Sequence, residues 1–119
     1  MNIEKLNETV AVARGEELLV STPQEAMDLI ATARYETGCE ALIIPKAALA
    51  EDFFKLSTGL AGEVLQKFVN YGMRVAIVGD FSHYTSKPLQ DFIRESNRGK
   101  TVFFVPTEQE ALEKLAAAN

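Results

Sequence analysis

Two short stretches carry most of the residues able to do chemistry in this chain. The first is Ser57-Thr58-Gly59, within Leu56-Ser57-Thr58-Gly59-Leu60-Ala61-Gly62-Glu63-Val64-Leu65-Gln66, where hydroxyls and a glycine stand at the change from loop to amphipathic helix. A helix start presents unpaired backbone N–H groups and the positive end of a dipole, so it can hold an anion or respond to an added phosphate. The same hydroxyls can do no more than cap the helix by accepting a backbone N–H. The second stretch is Gly79-Asp80-Phe81-Ser82-His83-Tyr84-Thr85-Ser86-Lys87, the densest polar run in the sequence. Asp80, Ser82, His83, Tyr84 and Lys87 there offer hydrogen-bonding and acid–base groups. The plainer alternative is a surface loop in which Ser86 caps the next helix and His83 is solvated.

Other site patterns are missing. The glycines fit neither a Walker nor a dinucleotide spacing. One histidine and one cysteine leave no zinc ligand set, so neither a metal nor a cofactor is expected. Cys39 precedes one expected strand, whereas His83 follows another that runs parallel to it. Five or six residues at about 3.3 Å each put these ends roughly 17–20 Å apart. A Cys–His nucleophilic pair is therefore not expected, and Cys39 reads as a small buried or edge residue. Glu63, Asp91 and Glu95 read as solvated helix faces, with no two carboxylates spaced for paired acid–base work. No catalytic residue is assigned.

The elements around these stretches follow from periodicity and punctuation. Ile3, Leu6, Val10 and Val12 around the polar Asn7-Glu8 predict a hairpin closed by Gly15, with Leu18-Leu19-Val20 continuing a strand or entering the core. Thr22-Pro23-Gln24-Glu25 predicts a helix start with a capping residue, proline at the first helical position and a capping-box glutamate. That helix runs to about Tyr35 with Ala26, Ile30 and Ala33 inward, and Gly38 ends it. Ala41–Ile44 reads as a strand buried on both faces and stopped by Pro45, followed by a loop from Lys46 to Lys55. A second helix is predicted from Thr58 to Tyr71, with Leu60, Ala61, Val64, Leu65 and Phe68 as its apolar stripe. Arg74–Val78 is a second buried strand and Ser86–Asn97 a third helix, with Leu89, Phe92, Ile93 and Ser96 on one face. Thr101–Val105 is a third buried strand. Thr107 with Glu110 starts a last helix, with Ala111, Leu112 and Leu115 inward and Ala116 to Asn119 frayed. Alternating strands and helices imply one α/β domain over residues 1–119. Its sheet should be five-stranded and largely parallel, with helices on both faces and the hairpin as an antiparallel edge.

Size and charge narrow the function classes. A chain of 119 residues buries enough surface for a core without staples. Apolar residues make up 47% and charged residues 24%, ordinary for a soluble globular domain. No apolar run approaches the roughly 18 residues of a bilayer span. Met1-Asn2-Ile3-Glu4-Lys5 lacks the pattern of a secretion signal, so no membrane association is expected. The single cysteine, Cys39, fits a reducing cytoplasm. Twelve Lys and Arg against seventeen Asp and Glu give a net charge of −5 with no basic cluster, which argues against nucleic acid.

Two resemblances follow from particular residues. The run Asp52–Phe68, together with Ala76-Ile77-Val78-Gly79-Asp80-Phe81-Ser82, Lys87, Leu89, Asp91-Phe92-Ile93, Glu95-Ser96-Asn97 and Gly99, resembles a small bacterial family known as domain of unknown function 4180. The likeness spans nearly the whole chain and implies no activity. The element order and Val102-Phe103-Phe104-Val105-Pro106-Thr107-Glu108-Gln109-Glu110-Ala111-Leu112 are similar to the STAS domain, the fold of anti-sigma-factor antagonists. That family carries an Asp-Ser/Thr-Ser/Thr-Gly motif at a helix start, where a partner kinase phosphorylates one hydroxyl. Ser57-Thr58-Gly59 matches its last three positions, which implies Thr58 as phosphoacceptor, with Leu56 standing where the family has an acidic residue.

The expectation is a cytoplasmic, non-catalytic binding or regulatory module of STAS-like architecture. Its contact rim would combine Ser57, Thr58 and Gly59 with the Asp80–Lys87 loop, for a protein partner or a small anionic ligand. The alternative is an enzyme using the same rim, with His83 as acid or base and Asp80 orienting it. A homodimer through the hairpin edge is a third expectation, since unpaired strand edges invite pairing.

Overall fold

The computed structural model describes residues 1–117. Strands β1 (Asn2–Lys5), β2 (Val10–Arg14), β3 (Ala41–Pro45), β4 (Arg74–Val78) and β5 (Val102–Val105) form one five-stranded sheet in the order of the chain. β1 pairs antiparallel with β2, and every later pair is parallel. Helices α1 (Pro23–Thr37), α2 (Leu60–Asn70) and α3 (Lys87–Arg98) join successive parallel strands, and α4 (Glu108–Ala117) follows the last. The α/β domain with its antiparallel N-terminal hairpin is thus as the sequence predicts.

The distribution of helices follows from handedness. Right-handed crossovers that always step in one direction lay every connecting helix on the same face. Accordingly α1, α2 and α3 share a core with Ala11, Leu42, Ile44, Val75, Ile77 and Phe104. α4 does not return to the sheet and covers the other face, where Ala111 and Leu115 meet Val10, Val12, Ile43, Ala76, Phe103 and Val105. Successive strand residues point to opposite faces, and both sets are apolar, as continuous Val/Ile/Phe runs require.

Local punctuation sets the boundaries. Asn7 Oδ1 accepts the N–H groups of Thr9 and Val10, each at 2.9 Å, and so turns the hairpin. Thr22 Oγ1 accepts the Glu25 N–H at 3.1 Å to cap α1. The Glu25 carboxylate takes the N–H of Ser21 at 2.8 Å, one residue ahead of the cap. Ser86 caps α3 through the Leu89 N–H, and Thr107 caps α4 through the Glu110 N–H. Leu18 is exposed, while Val20 is buried and forms an isolated parallel bridge with Leu49.

The structure corrects three expectations. The second helix begins at Leu60, not Thr58, because Gly59 takes a left-handed conformation (φ 78°) that interrupts the helical path. The segment after Pro45 is no irregular loop but a series of single 3₁₀ turns, Lys46–Ala48, Glu51–Phe54 and Leu56–Thr58, which bury Ala48, Phe53 and Phe54. α4 stays helical through Ala117, past the predicted onset of fraying at Ala116; Ala118 and Asn119 lie outside the described residues. Among the described residues, no helix is long and apolar enough to cross a membrane.

The outer edge of β5 carries a feature that periodicity does not reveal. The Asn97 side chain accepts the Phe104 N–H at 2.7 Å and donates to the Phe104 carbonyl at 3.1 Å. An amide on α3 thereby stands in for a neighbouring strand.

Candidate functional site

Parallel strands β2, β3 and β4 end side by side, and the residues just past their ends line an open crevice of about 510 Å³. Gly15 and Glu16 follow β2, Lys46 and Ala47 follow β3, and Gly79, Asp80 and His83 follow β4, with Pro45 and Val78 below them. Open α/β sheets present their ligand crevices at this end of the strands. The sequence identified Asp80 and His83 by that rule but missed Gly15, Glu16 and Lys46. The same rule applied to every strand, and not only to the polar-rich one, would have found them.

Gly79 makes this geometry attainable. A Cβ built on it would lie 2.7 Å from Lys46 Cβ, closer than side-chain carbons approach, so only glycine lets the turn after β4 press against the stem of Lys46. The Lys46 ammonium lies 5.2 Å from the centroid of Phe54 and 5.0 Å from that of Tyr84, within range of a cation–π attraction. It takes part in none of the ion pairs found among the described residues.

The Asp80–Lys87 loop is tied down from within and from below. Asp80 Oδ1 accepts the Ser82 N–H at 2.9 Å and the Ser82 hydroxyl at 2.6 Å. The Ser82 hydroxyl, then its backbone N–H, hold the Asp80 carboxyl below its usual 3.8, with weaker help from the charges of His83 and Lys46. Tyr84 stacks on Phe54 (5.1 Å, 16°), Phe54 lies near Phe81, and Phe81 meets Phe104 edge-on at 5.5 Å. This aromatic series runs from the sheet to the rim. The Tyr84 hydroxyl donates to Glu51 at 3.1 Å, and partial burial raises its pKa above the ordinary 10.0. His83 is exposed and lies against the Tyr84 ring, centroids 4.1 Å apart. Among the described residues no hydrogen bond joins His83 to Asp80.

The remaining candidates sit elsewhere. Lys87 opens α3 and pairs with Asp91 at 2.8 Å. Ser57, Thr58 and Gly59 are exposed and do not line the crevice, so the single rim expected from the sequence is not assembled as one pocket. The Thr58 hydroxyl turns back into its own 3₁₀ turn, between the carbonyls of Asp52 (2.9 Å) and Lys55 (2.8 Å), and accepts the Leu60 N–H at 3.2 Å. This turn is linked to the polar loop indirectly, through the Glu51–Phe54 turn that carries both Asp52 and the partner of Tyr84. Cys39 is buried before β3, its Sγ 3.6 Å from the Asn7 carbonyl, at the opposite end of the sheet from His83. Among the described residues, no group of three or more His, Cys, Asp or Glu is gathered to hold a metal ion.

Neither the curated proteins nor the solved structures contain a match to this chain. A family model does match, described as a domain of unknown function (DUF4180), over residues 5–115. With the match running from β1 to α4, the chain belongs to the DUF4180 family.

Proposed function

We propose that the domain is a non-catalytic binding or regulatory module whose contact surface is the crevice at the ends of β2, β3 and β4. The observation that carries this reading is the convergence of Lys46, Asp80 and His83 on one opening, with the Lys46 ammonium resting near the stacked rings of Phe54 and Tyr84. The occupant that suits it is a small ligand with an anionic group for Lys46 and a donor for Asp80 or Glu16. Proton-transfer chemistry is less well supported: Asp80 spends Oδ1 on Ser82 and is not bonded to the imidazole it would have to orient. The regulatory part of the proposal draws on the STAS likeness of the element order and of Ser57-Thr58-Gly59. A phosphate on Thr58 would cost the hydroxyl its bonds to Asp52 and Lys55 and so loosen the turn that carries Glu51.

A thermal-shift screen of inorganic phosphate, phosphorylated metabolites and dicarboxylates, run on the wild type and on Lys46→Ala, tests this. A ligand at 100 times its dissociation constant adds about 2.7 kcal/mol of stability. The proposal expects such a shift in the wild type and its loss in Lys46→Ala. A ligand consumed during incubation would favour the enzyme reading. Absence of any shift would count against the crevice as a small-ligand site.

A further inference from the structure

The outer face of α1 carries the most exposed large apolar residue among the described ones, Tyr35, which is 92% exposed. Around it Gln24, Met27, Asp28, Ala31 and Arg34 line a groove of about 490 Å³ with Tyr71, itself 47% exposed. An open apolar face of this kind marks an interaction surface. Asp28 and Arg34 enter none of the ion pairs among the described residues, although both are on this face.

The order of these residues says what fits. Counted outward from Ala31, three residues back is Asp28 and three forward is Arg34; four back is Met27 and four forward is Tyr35. The stripe is therefore complementary to its own reverse: acid opposite base, thioether and aromatic at matching distances, and a small residue at the centre. A two-fold axis imposes that relation, because residue i on one subunit meets j on the other and j meets i. We infer that α1 is the interface of a homodimer in which two α1 helices pack antiparallel and cross at Ala31. Each Arg34 then stands level with the partner's Asp28, across a seam its long side chain can span. The methyl of Ala31 allows the helix backbones to approach, and Met27 and Tyr35 close over the ends, a favourable sulfur–aromatic pairing. Tyrosine, methionine and arginine are the residue types enriched at protein interfaces.

Charge reversal tests the pairing. Sedimentation of the wild type, Arg34→Glu, Asp28→Arg and the double reversal should show a dimer in the first, a dissociation constant raised about tenfold or more in each single variant, and recovery in the double. As a measurement independent of those variants, oxidation of Ala31→Cys should give a covalent dimer, whereas buried Cys39 in the wild type gives none. Wild type that stays monomeric across the concentration range overturns the inference. So does a dimer indifferent to both single reversals, which would point to the open edge of β1, and so does a double variant no tighter than the singles. Ala31→Cys that oxidises without cross-linking overturns it too.

Discussion

Gly79 and Asp80, adjacent in the chain, shape the crevice by opposite means, one by lacking a side chain and the other by spending one. Gly79→Ala would place its methyl 2.7 Å from Lys46 Cβ, near the backbone where nothing flexible can give way. We expect a loss of about 1–3 kcal/mol in chemical denaturation, as for overpacking of a close contact, and unchanged stability would mean that the contact is slack. Asp80 makes a pH prediction. Its folded pKa lies below the ordinary 3.8, so its contribution to holding the loop is complete above that value and is lost as pH falls through the lower folded value. An NMR titration should therefore show the Ser82 amide moving with a midpoint more acidic than the ordinary 3.8. In Asp80→Asn that acid transition should vanish. Lys46 was invisible to a sequence reading because a lone lysine after a proline carries no motif; its role comes from a glycine thirty-three positions later.

At the scale of elements, helices and strands were legible where a capping residue and an apolar period agreed, as at Thr22, Ser86 and Thr107. They were misread where glycine torsion decided. Ser57 and Thr58 look like helix-start residues, yet Gly59 turns the chain and leaves them in a 3₁₀ turn. The two hydroxyls then separate in role. Thr58→Ala should cost about 1 kcal/mol, since it removes bonds on both sides of the turn. Ser57→Ala should stay within roughly 0.5 kcal/mol, as for an exposed surface position, and equal losses in urea denaturation would contradict this assignment. Asn97 escaped notice for another reason: a helix-terminal asparagine reads as a stop signal, and only the fold brings it beside Phe104. Asn97→Ala should cost about 1–3 kcal/mol by leaving edge groups of β5 unpaired. It should also speed hydrogen exchange of the Phe104 amide; retained protection would show that water or α3 shields that edge without the amide.

For the whole molecule, one topological fact organises the rest. Sequential parallel strands with right-handed crossovers put three helices on one face and send every strand-to-helix connection out at the same end. That end gathers Glu16, Lys46, Asp80 and His83 from separate parts of the chain. Alternating elements were enough to predict the sheet, but the crevice gathers residues from three separate strand ends, which no local spacing encodes. The measurement that most directly tests the crevice as the binding surface is a ¹⁵N–¹H NMR titration with inorganic phosphate and pooled phosphorylated metabolites. The account predicts shifts concentrated at Glu16, Lys46, Ala47 and Gly79–Tyr84 and abolished by Lys46→Ala. Shifts confined to Ser57–Leu60, or spread over the surface and indifferent to Lys46, would contradict it.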